Sequence, residues 1–261
     1  MRARKWIAAL LGMAALVVAA GCGSSGGSSS NGDKPDLVVS AASSLKDAFN
    51  QYAQKFPDAT VRASFAGSDD LAAQIEQGVK PDVFASANTK LPDELFQKGL
   101  VQKPVVFAGN RLVLAVPASG GKVTSLADLE KPGVTVAMGS ASVPVGTYTR
   151  KVLAGLPKDE SAKILGNVRS NEPDVAGVVG KVTQGAVDAG FVYVTDVDGT
   201  DGKLKAIELP ANLQPQVAYG VAIVKAAKHP KQAQAFIDGL LHGAGQQALK
   251  AAAFEPPPAG A

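Results

Sequence analysis

The 261-residue sequence has little of what catalytic and metal-binding sites are made of, with one cysteine, Cys22, and two histidines, His229 and His242. A single cysteine excludes an internal disulfide framework and a cluster of thiolate ligands. Both histidines lie in or beside an amphipathic stretch, where a solvated surface role is expected. Beyond residue 32 there is neither a GxSxG nucleophile motif nor a GxxxxGK[ST] phosphate loop. An enzyme on this chain would have few groups for catalysis.

An excess of charge of one sign is also lacking. The chain has 26 Lys and Arg against 23 Asp and Glu, and the first 21 residues carry three of the basic ones, Arg2, Arg4 and Lys5. The remaining body is therefore balanced at 23 against 23. A balanced surface without a basic run provides no attraction for nucleic acid, so we expect no nucleic-acid partner.

The N-terminal segment has the composition of an export signal. Its basic residues precede an apolar run from Trp6 to Ala20 that is too short to span a bilayer comfortably. Small residues then lead into Cys22, which resembles a lipobox, although Ala19 stands where such boxes usually carry Leu. We expect residues 1–21 to be a lipoprotein signal peptide and Cys22 to be lipidated; the alternative is an ordinary cysteine in the leader. Residues 22–35 then form a tether rich in Gly and Ser.

From Leu37 onward, short apolar runs alternate with amphipathic stretches, which predicts an α/β fold with largely parallel sheets. The alternation restarts near Gly133, which predicts a second α/β lobe. The predicted strands lie near 37–40, 61–65, 83–85, 111–116, 134–137, 189–194, 204–209 and 216–224. The predicted helices lie near 45–56, 71–77, 147–156, 175–184, 231–241 and 246–253.

Several predicted helices begin at small hydroxyl, glycine or proline residues. Ser44, with Asp47 three residues later, resembles a capping box, and Ser68 precedes the second helix. Taken singly, each serine reads as an N-cap. The alternative is that helix N-termini from two lobes converge on a cleft and bind an oxyanion through neutral donors. Asp69 and Asp70 would repel such an anion, so we expect them to point outward.

Tyr193 lies on an otherwise apolar strand, and its hydroxyl needs a partner. Core packing and a ligand contact both remain open for it.

The residues at these positions are similar to motifs of the molybdate-binding protein family, ModA, of ABC importers. Residues 39–45 (VSAASSL) resemble its AAASL motif, whose ligand serine falls on Ser44, with Ser43 where the family often has Ala. Residues 64–76 resemble SFASSSTLxxQIE, whose ligand serine falls on Ser68; Asp69 and Asp70 depart from that pattern. Residues 81–87 (PDVFASA) resemble ADLFISA, a marker of the fold.

Three further motifs follow in the family's order. Residues 143–148 (VPVGTY) resemble VPAGxY, residues 172–175 (EPDV) resemble AEDV, and residues 191–196 (FVYVTD) resemble IVYxSD. The resemblance implies backbone donors at Val145 and Val175 and a phenol donor at Tyr193. The implied oxyanion site is thus Ser44, Ser68, Val145, Val175 and Tyr193, with Ser43 as an additional contact.

The resemblance also implies a two-lobe type II periplasmic-binding-protein fold with two crossover strands, near 111–117 and 216–224. Lobe one would comprise residues 36–112 and 217–261, and lobe two residues 113–216. The implied function is extracytoplasmic capture of molybdate or tungstate by a monomer, anchored by lipid on the outer face of the cytoplasmic membrane. The implied partner is an ABC permease with a cytoplasmic ATPase. We expect no cofactor, no catalytic residue, and metal only within the oxyanion. Sulfate or another oxyanion, or an enzyme on the same fold, are the alternatives.

Overall fold

A computed structural model describes residues 34–260. The predicted signal peptide, Cys22 and nearly all of the Gly/Ser tether lie outside the described residues. None of the helices within the described range is long and apolar enough to cross a membrane.

Ten strands and nine α-helices form the described chain, together with 3-10 turns at Ser43–Leu45 and Leu126–Glu130. The strands are β1 (Asp36–Ala42), β2 (Thr60–Ala66), β3 (Val83–Ser86), β4 (Val105–Asn110), β5 (Leu112–Pro117), β6 (Val136–Gly139), β7 (Val168–Glu172), β8 (Ala189–Tyr193), β9 (Leu204–Glu208) and β10 (Val217–Ile223). The helices are α1 (Lys46–Lys55), α2 (Ser68–Glu76), α3 (Lys90–Gln97), α4 (Pro144–Ala154), α5 (Lys158–Gly166), α6 (Val175–Thr183), α7 (Val194–Asp198), α8 (Pro230–His242) and α9 (Ala244–Ala251).

The strands form two five-stranded sheets, in the orders β2-β1-β3-β10-β4 and β7-β6-β8-β5-β9. β1 pairs in parallel with β2 and β3, and β6 pairs in parallel with β7 and β8. Parallel neighbours need helical crossovers, which cover the faces of a sheet and bury its strands. Leu37, Val39 and Ala41 of β1 are accordingly fully buried. The predicted α/β class is confirmed.

The chain passes between the sheets twice. β4 ends at Asn110 in the first sheet and β5 begins at Leu112 in the second, so the first passage is at Arg111. The return passage is residues 209–216, between β9 and β10. The ranges predicted as crossovers, 111–117 and 216–224, lie almost wholly within β5 and β10, each of which belongs to one sheet.

The C-terminal helices pack on the first sheet's own helix α1. Phe236 of α8 lies against an aromatic group on and just after α1, with ring centroids 5.5 Å from Phe49, 4.7 Å from Tyr52 and 5.4 Å from Phe56. Tilted and edge-to-face aromatic contacts at these distances add to the gain from burial. The last part of the sequence therefore stabilises the first sheet.

Asp82, in the Pro-Asp-Val motif, is a buried carboxylate with a structural role. It is 2% exposed and accepts hydrogen bonds from the backbone N–H of Val38 and of His229, each at 2.8 Å. These two bonds tie the start of β1 to the start of α8 and offset the cost of burying a charge. His229 is half-buried at the N-cap of α8, and His242 is exposed.

Candidate functional site

A narrow cavity lies where helices that follow strands of the two sheets begin. The space in it that is open to a water-sized sphere is only about 10 Å³, far less than the ~300–1,000 Å³ typical of pockets for drug-sized ligands. The cavity therefore suits a compact ion. The structure brings together in its lining all six positions singled out in the sequence: Ser43, Ser44, Ser68, Val145, Val175 and Tyr193.

The first residues of three helices, α2, α4 and α6, line this cavity. α2 begins at Ser68 and α6 at Val175, and the first N–H groups of a helix have no partner within it. α4 begins with Pro144, which lacks an N–H, so Val145 carries the first backbone donor of that helix. The helix dipoles add positive potential, which favours an anion.

The first turn of α4 comes close to the end of β6 because residue 146 is glycine. A Cβ at Gly146 would lie 1.9 Å from the carbonyl oxygen of Ser140 and 2.4 Å from that of Gly139. Glycine at position 146 therefore allows the close approach that fixes the position of Val145, and a larger residue at 146 would displace Val145.

Ser68 is a buried hydrogen-bond acceptor inside the first turn of α2 rather than its N-cap. The N-cap of α2 is Gly67, and the Ser68 side chain makes no capping bond. Its Oγ instead accepts a hydrogen bond from the backbone N–H of Ala87 at 3.1 Å, and the residue is 1% exposed. Because that bond occupies an acceptor site of the oxygen, the hydroxyl proton remains available to the cavity. The N-cap interpretation of Ser68 is wrong because the serine lies one position inside the helix.

Ser44 likewise does not form the capping box that its spacing to Asp47 suggested. It lies inside the 3-10 turn before α1, and neither helix start there has a side-chain cap. Its Oγ lies 2.9 Å from the hydroxyl oxygen of Tyr219 on β10. That prediction is wrong because a partner distant in sequence binds the hydroxyl.

Tyr193 has a buried hydroxyl without a hydrogen-bond partner among residues 34–260. The residue is 1% exposed and is one of those that line the cavity. Burial raises the pKa of Tyr193 well above its usual value, with smaller contributions from Tyr219, Tyr148 and Asp196, so the hydroxyl keeps its proton. A buried hydroxyl that lacks a partner is costly, and it is a donor ready for a ligand.

The lining contains no Lys or Arg side chain. Its one carboxylate, Asp174, is the N-cap of α6 and accepts a hydrogen bond from the N–H of Gly177 at 2.8 Å. Among residues 34–260, no group of three or more His, Cys, Asp or Glu side chains is placed to hold a metal ion. The cavity can therefore bind an anion through neutral donors.

The two acidic residues after Ser68 differ from each other. Asp70 is exposed, as expected, but Asp69 is half-buried and its Oδ1 is enclosed without a partner among the described residues. The expectation that both point outward is wrong for Asp69. The reason is tertiary: the segment at Pro173, which leads into α6, lies against the start of α2 at Gly67.

Two residues that were not predicted from the sequence, Tyr219 and Asn110, are linked to Ser44 by hydrogen bonds. Tyr219 is fully buried, and its hydroxyl accepts a hydrogen bond from the side-chain amide of Asn110 at 3.3 Å. Both residues occur in otherwise apolar strands, β4 and β10. A polar side chain within an apolar run is the sequence feature that could have pointed to them.

The raised pKa of the Asp196 carboxyl leads us to expect that the stability of the fold depends on pH. Burial raises the pKa of its carboxyl to about 7, with Asp174 and Asp47 raising it further and the N–H of Tyr193 lowering it. Between about pH 4 and pH 7 the folded chain therefore still holds a proton that the unfolded chain has already released. The free energy of unfolding consequently falls as the pH rises through that window. We expect Asp196→Asn to reduce the loss of unfolding free energy between pH 5 and 8 by about 2 kcal/mol. Denaturant unfolding at both pH values measures this; identical slopes for the two proteins would contradict it.

Two α/β layers joined by two passages, with a small cavity among helix N-termini, define a two-lobe solute-binding protein of the type II periplasmic-binding-protein fold. The Azotobacter vinelandii periplasmic molybdate-binding protein has this fold, with a TM-score of 0.76 at 23% identity over 85% of this chain and 100% of that one. Residues 37–255 match the model of the bacterial extracellular solute-binding proteins. The chain belongs to this family.

Two relatives align over nearly the whole chain. The molybdate-binding protein ModA of Mycobacterium tuberculosis H37Rv is 34% identical over 97% of this chain and 100% of its own length. The provisionally assigned ABC transporter substrate-binding lipoprotein YvgL of Bacillus subtilis is 31% identical over 91% of this chain and 93% of its own length.

Proposed function

We propose that this protein captures molybdate, and tungstate with it, in the cavity at the helix N-termini and delivers the ion to an ABC transporter permease. The proposed contacts are the hydroxyls of Ser44, Ser68 and Tyr193 and the backbone N–H groups of Val145 and Val175, with Ser43 alongside. The similarity to ModA of M. tuberculosis over nearly the full length of both chains supports this ligand.

The observation that carries the proposal is the unpartnered hydroxyl of Tyr193 in a cavity that Ser68 also lines. Each of these two hydroxyls has a proton to give, and the first N–H groups of α4 and α6 are donors only. A fully deprotonated tetrahedral dianion offers acceptors only, so the two sets complement each other. Bound molybdate would give the Tyr193 hydroxyl the partner that it otherwise lacks.

The same donors account for selectivity. Hydrogen phosphate carries a proton that needs an acceptor, and a shell of donors leaves that proton unpaired. Sulfate has no such proton, but its bonds are shorter than metal–oxygen bonds, so it would fill a molybdate-sized cavity less well. Discrimination against sulfate thus depends on size, and discrimination against phosphate on hydrogen bonding.

In this proposal the lobes are residues 36–112 with 217–261, and residues 113–216. The passage of the chain between sheets at Arg111 and at 209–216 supports boundaries close to these. The lobes close over the ion as a hinged pair. The cavity serves binding and carries no catalytic residue, so we propose no enzymatic activity and no cofactor.

We further propose that the protein is an exported monomer, anchored through a lipid on Cys22 to the outer face of the cytoplasmic membrane. The similarity to a lipoprotein of B. subtilis supports the anchor, and membership of an extracellular solute-binding family supports the location. The bound ion passes to a permease driven by a cytoplasmic ATPase. Mass spectrometry of the exported chain would show the lipid on Cys22; an unmodified thiol there would rule the anchor out.

The test of function is calorimetric titration of the full-length chain, kept in detergent, with molybdate, tungstate, sulfate and phosphate in parallel. We expect heat from the first two ions and none from the others. Saturable sulfate binding of equal strength would replace the proposed ligand with a smaller oxyanion. Silence from all four would show that the family's fold here serves a different ligand.

Removal of the Ser68 hydroxyl should weaken molybdate binding. We expect Ser68→Ala to cost about 1.5–3 kcal/mol of binding free energy, because a hydrogen bond to a charged group is lost. The matched control is Ser64→Ala, since Ser64 is exposed on β2 and lies outside the cavity lining. Unchanged affinity in Ser68→Ala would remove Ser68 from the site.

A further inference from the structure

A chain of three side chains, the buried Asn110 and Tyr219 and the half-buried Ser44, runs from the passage between the sheets to the cavity. The Asn110 side-chain nitrogen Nδ2 donates to Tyr219 Oη at 3.3 Å, and Tyr219 Oη lies 2.9 Å from Ser44 Oγ. Asn110 is 4% exposed and Tyr219 is fully buried. Asn110 ends β4, directly before the chain enters the second sheet.

The direction of the first bond is fixed by the surroundings of Asn110. Its Oδ1 accepts from the backbone N–H of Arg111 at 2.9 Å, which orients the amide. Its Nδ2 donates one proton to Thr195 Oγ1 at 2.9 Å and the other to Tyr219. An amide nitrogen only donates, so the Tyr219 oxygen is an acceptor in this bond.

The second bond then has a favoured direction. The Tyr219 proton needs an acceptor because a buried, unpaired hydroxyl proton is costly. Among the bonds of Tyr219 Oη to residues 34–260, the one to Ser44 Oγ is the one whose partner can accept, since Asn110 Nδ2 only donates. If Ser44 accepts this proton, its own proton is left for the cavity. The arrangement at Ser68, whose oxygen accepts from Ala87 N–H, is equivalent.

We propose that Tyr219, held by Asn110, is a positioning and specificity-determining residue that makes Ser44 a donor towards the bound anion. This inference rests on the proposed function. Without the Tyr219 hydroxyl, Ser44 Oγ would be free to rotate and accept a proton as well as give one. The cavity would then lose a donor for molybdate and gain an acceptor for a protonated oxyanion such as hydrogen phosphate.

The experiment compares four full-length proteins by calorimetric titration with molybdate and with phosphate: wild type, Tyr219→Phe, Ser44→Ala and the double variant. We expect Tyr219→Phe to bind molybdate about fivefold to tenfold more weakly and to raise the affinity for phosphate relative to molybdate. In the Ser44→Ala background the Tyr219 change should have no further effect, because Tyr219 acts through Ser44.

The control is Tyr52→Phe, which removes another buried tyrosine hydroxyl, one that donates to the carbonyl oxygen of Phe236 at 3.2 Å and belongs to a residue outside the cavity lining. It should leave both affinities unchanged. If Tyr219→Phe melts below the assay temperature, Asn110→Ser measures the same two quantities, since it removes the amide donor and keeps the tyrosine.

Two results would overturn the inference while leaving the proposed function intact. One is wild-type affinity and wild-type selectivity in Tyr219→Phe. The other is a double variant whose loss of molybdate affinity equals the product of the losses in the two single variants. If the wild-type protein does not bind molybdate in the titration, the proposed function is overturned, and this inference, which rests on it, is overturned as well.

Discussion

Gly67→Ala is expected to weaken molybdate binding by about 10- to 100-fold while the protein stays folded, because overpacking costs about 1–3 kcal/mol. A Cβ at Gly67 would lie 2.5 Å from the carbonyl oxygen of Pro173, the residue before the N-cap of α6. Gly67 belongs to the proposed first lobe and Pro173 to the second. A backbone oxygen cannot rotate away as a side chain can, so the lobes would have to separate.

The backbone of Gly67 is not itself strained by the change, since its φ is −59°. The unfolding transition without ligand should therefore move little, and the loss should appear in the titration. The control is Gly121→Ala, where the added Cβ meets no atom within 4 Å. Wild-type affinity in Gly67→Ala would show that this contact does not limit closure.

Tyr193→Phe is expected to have opposite effects on stability and on binding. Its hydroxyl is buried without a partner among residues 34–260, so its removal should raise the unfolding free energy of the ligand-free protein by about 1 kcal/mol. Molybdate binding should weaken by about 10- to 100-fold, because a hydrogen bond to a charged ligand is lost. Denaturant unfolding and calorimetric titration measure the two quantities.

The opposite signs distinguish a ligand contact from a packing role. Tyr52→Phe removes a hydroxyl that does have a partner, Phe236 O, and should lower stability while sparing affinity. If Tyr193→Phe lowers stability and leaves binding unchanged, the hydroxyl serves the core and the proposed site loses its central contact.

The regular elements with strong periodicity were predictable from the sequence. β1, β3 and β8 have mostly apolar runs because each is an interior strand of its sheet, and α1 shows apolar residues at helical spacing. β4 and β7 were not predicted. Each is one of the two edge strands of its sheet, as β2 and β9 also are. The residues of β7 (VRSNE) are exposed or half-buried, so no apolar pattern marks that strand.

Three helices escaped prediction, the five-residue α7 (VTDVD) and the longer α3 and α5. α3 (KLPDELFQ) carries Pro92 in its first turn, which reads as a break although the first turn tolerates it. α5 (KDESAKILG) buries only Ile164, so its sequence is that of a solvated face. A helix that buries few side chains has few apolar residues at helical spacing, so its sequence carries little periodic signal.

The sequence determined the α/β class, through its apolar periodicity, and the order of the short motifs that end at helix starts. It did not determine the direction of any hydroxyl. Ser44 and Ser68 read as caps because local spacing allows a cap, whereas their oxygens bind Tyr219 and Ala87 instead. A hydroxyl takes whichever partner the fold brings within about 3 Å, and partners 175 and 19 residues apart meet only after the sheets have formed. The tertiary structure alone therefore decided which groups these two hydroxyls contact and that both side chains line one cavity, because the partners of a hydroxyl are its neighbours in space.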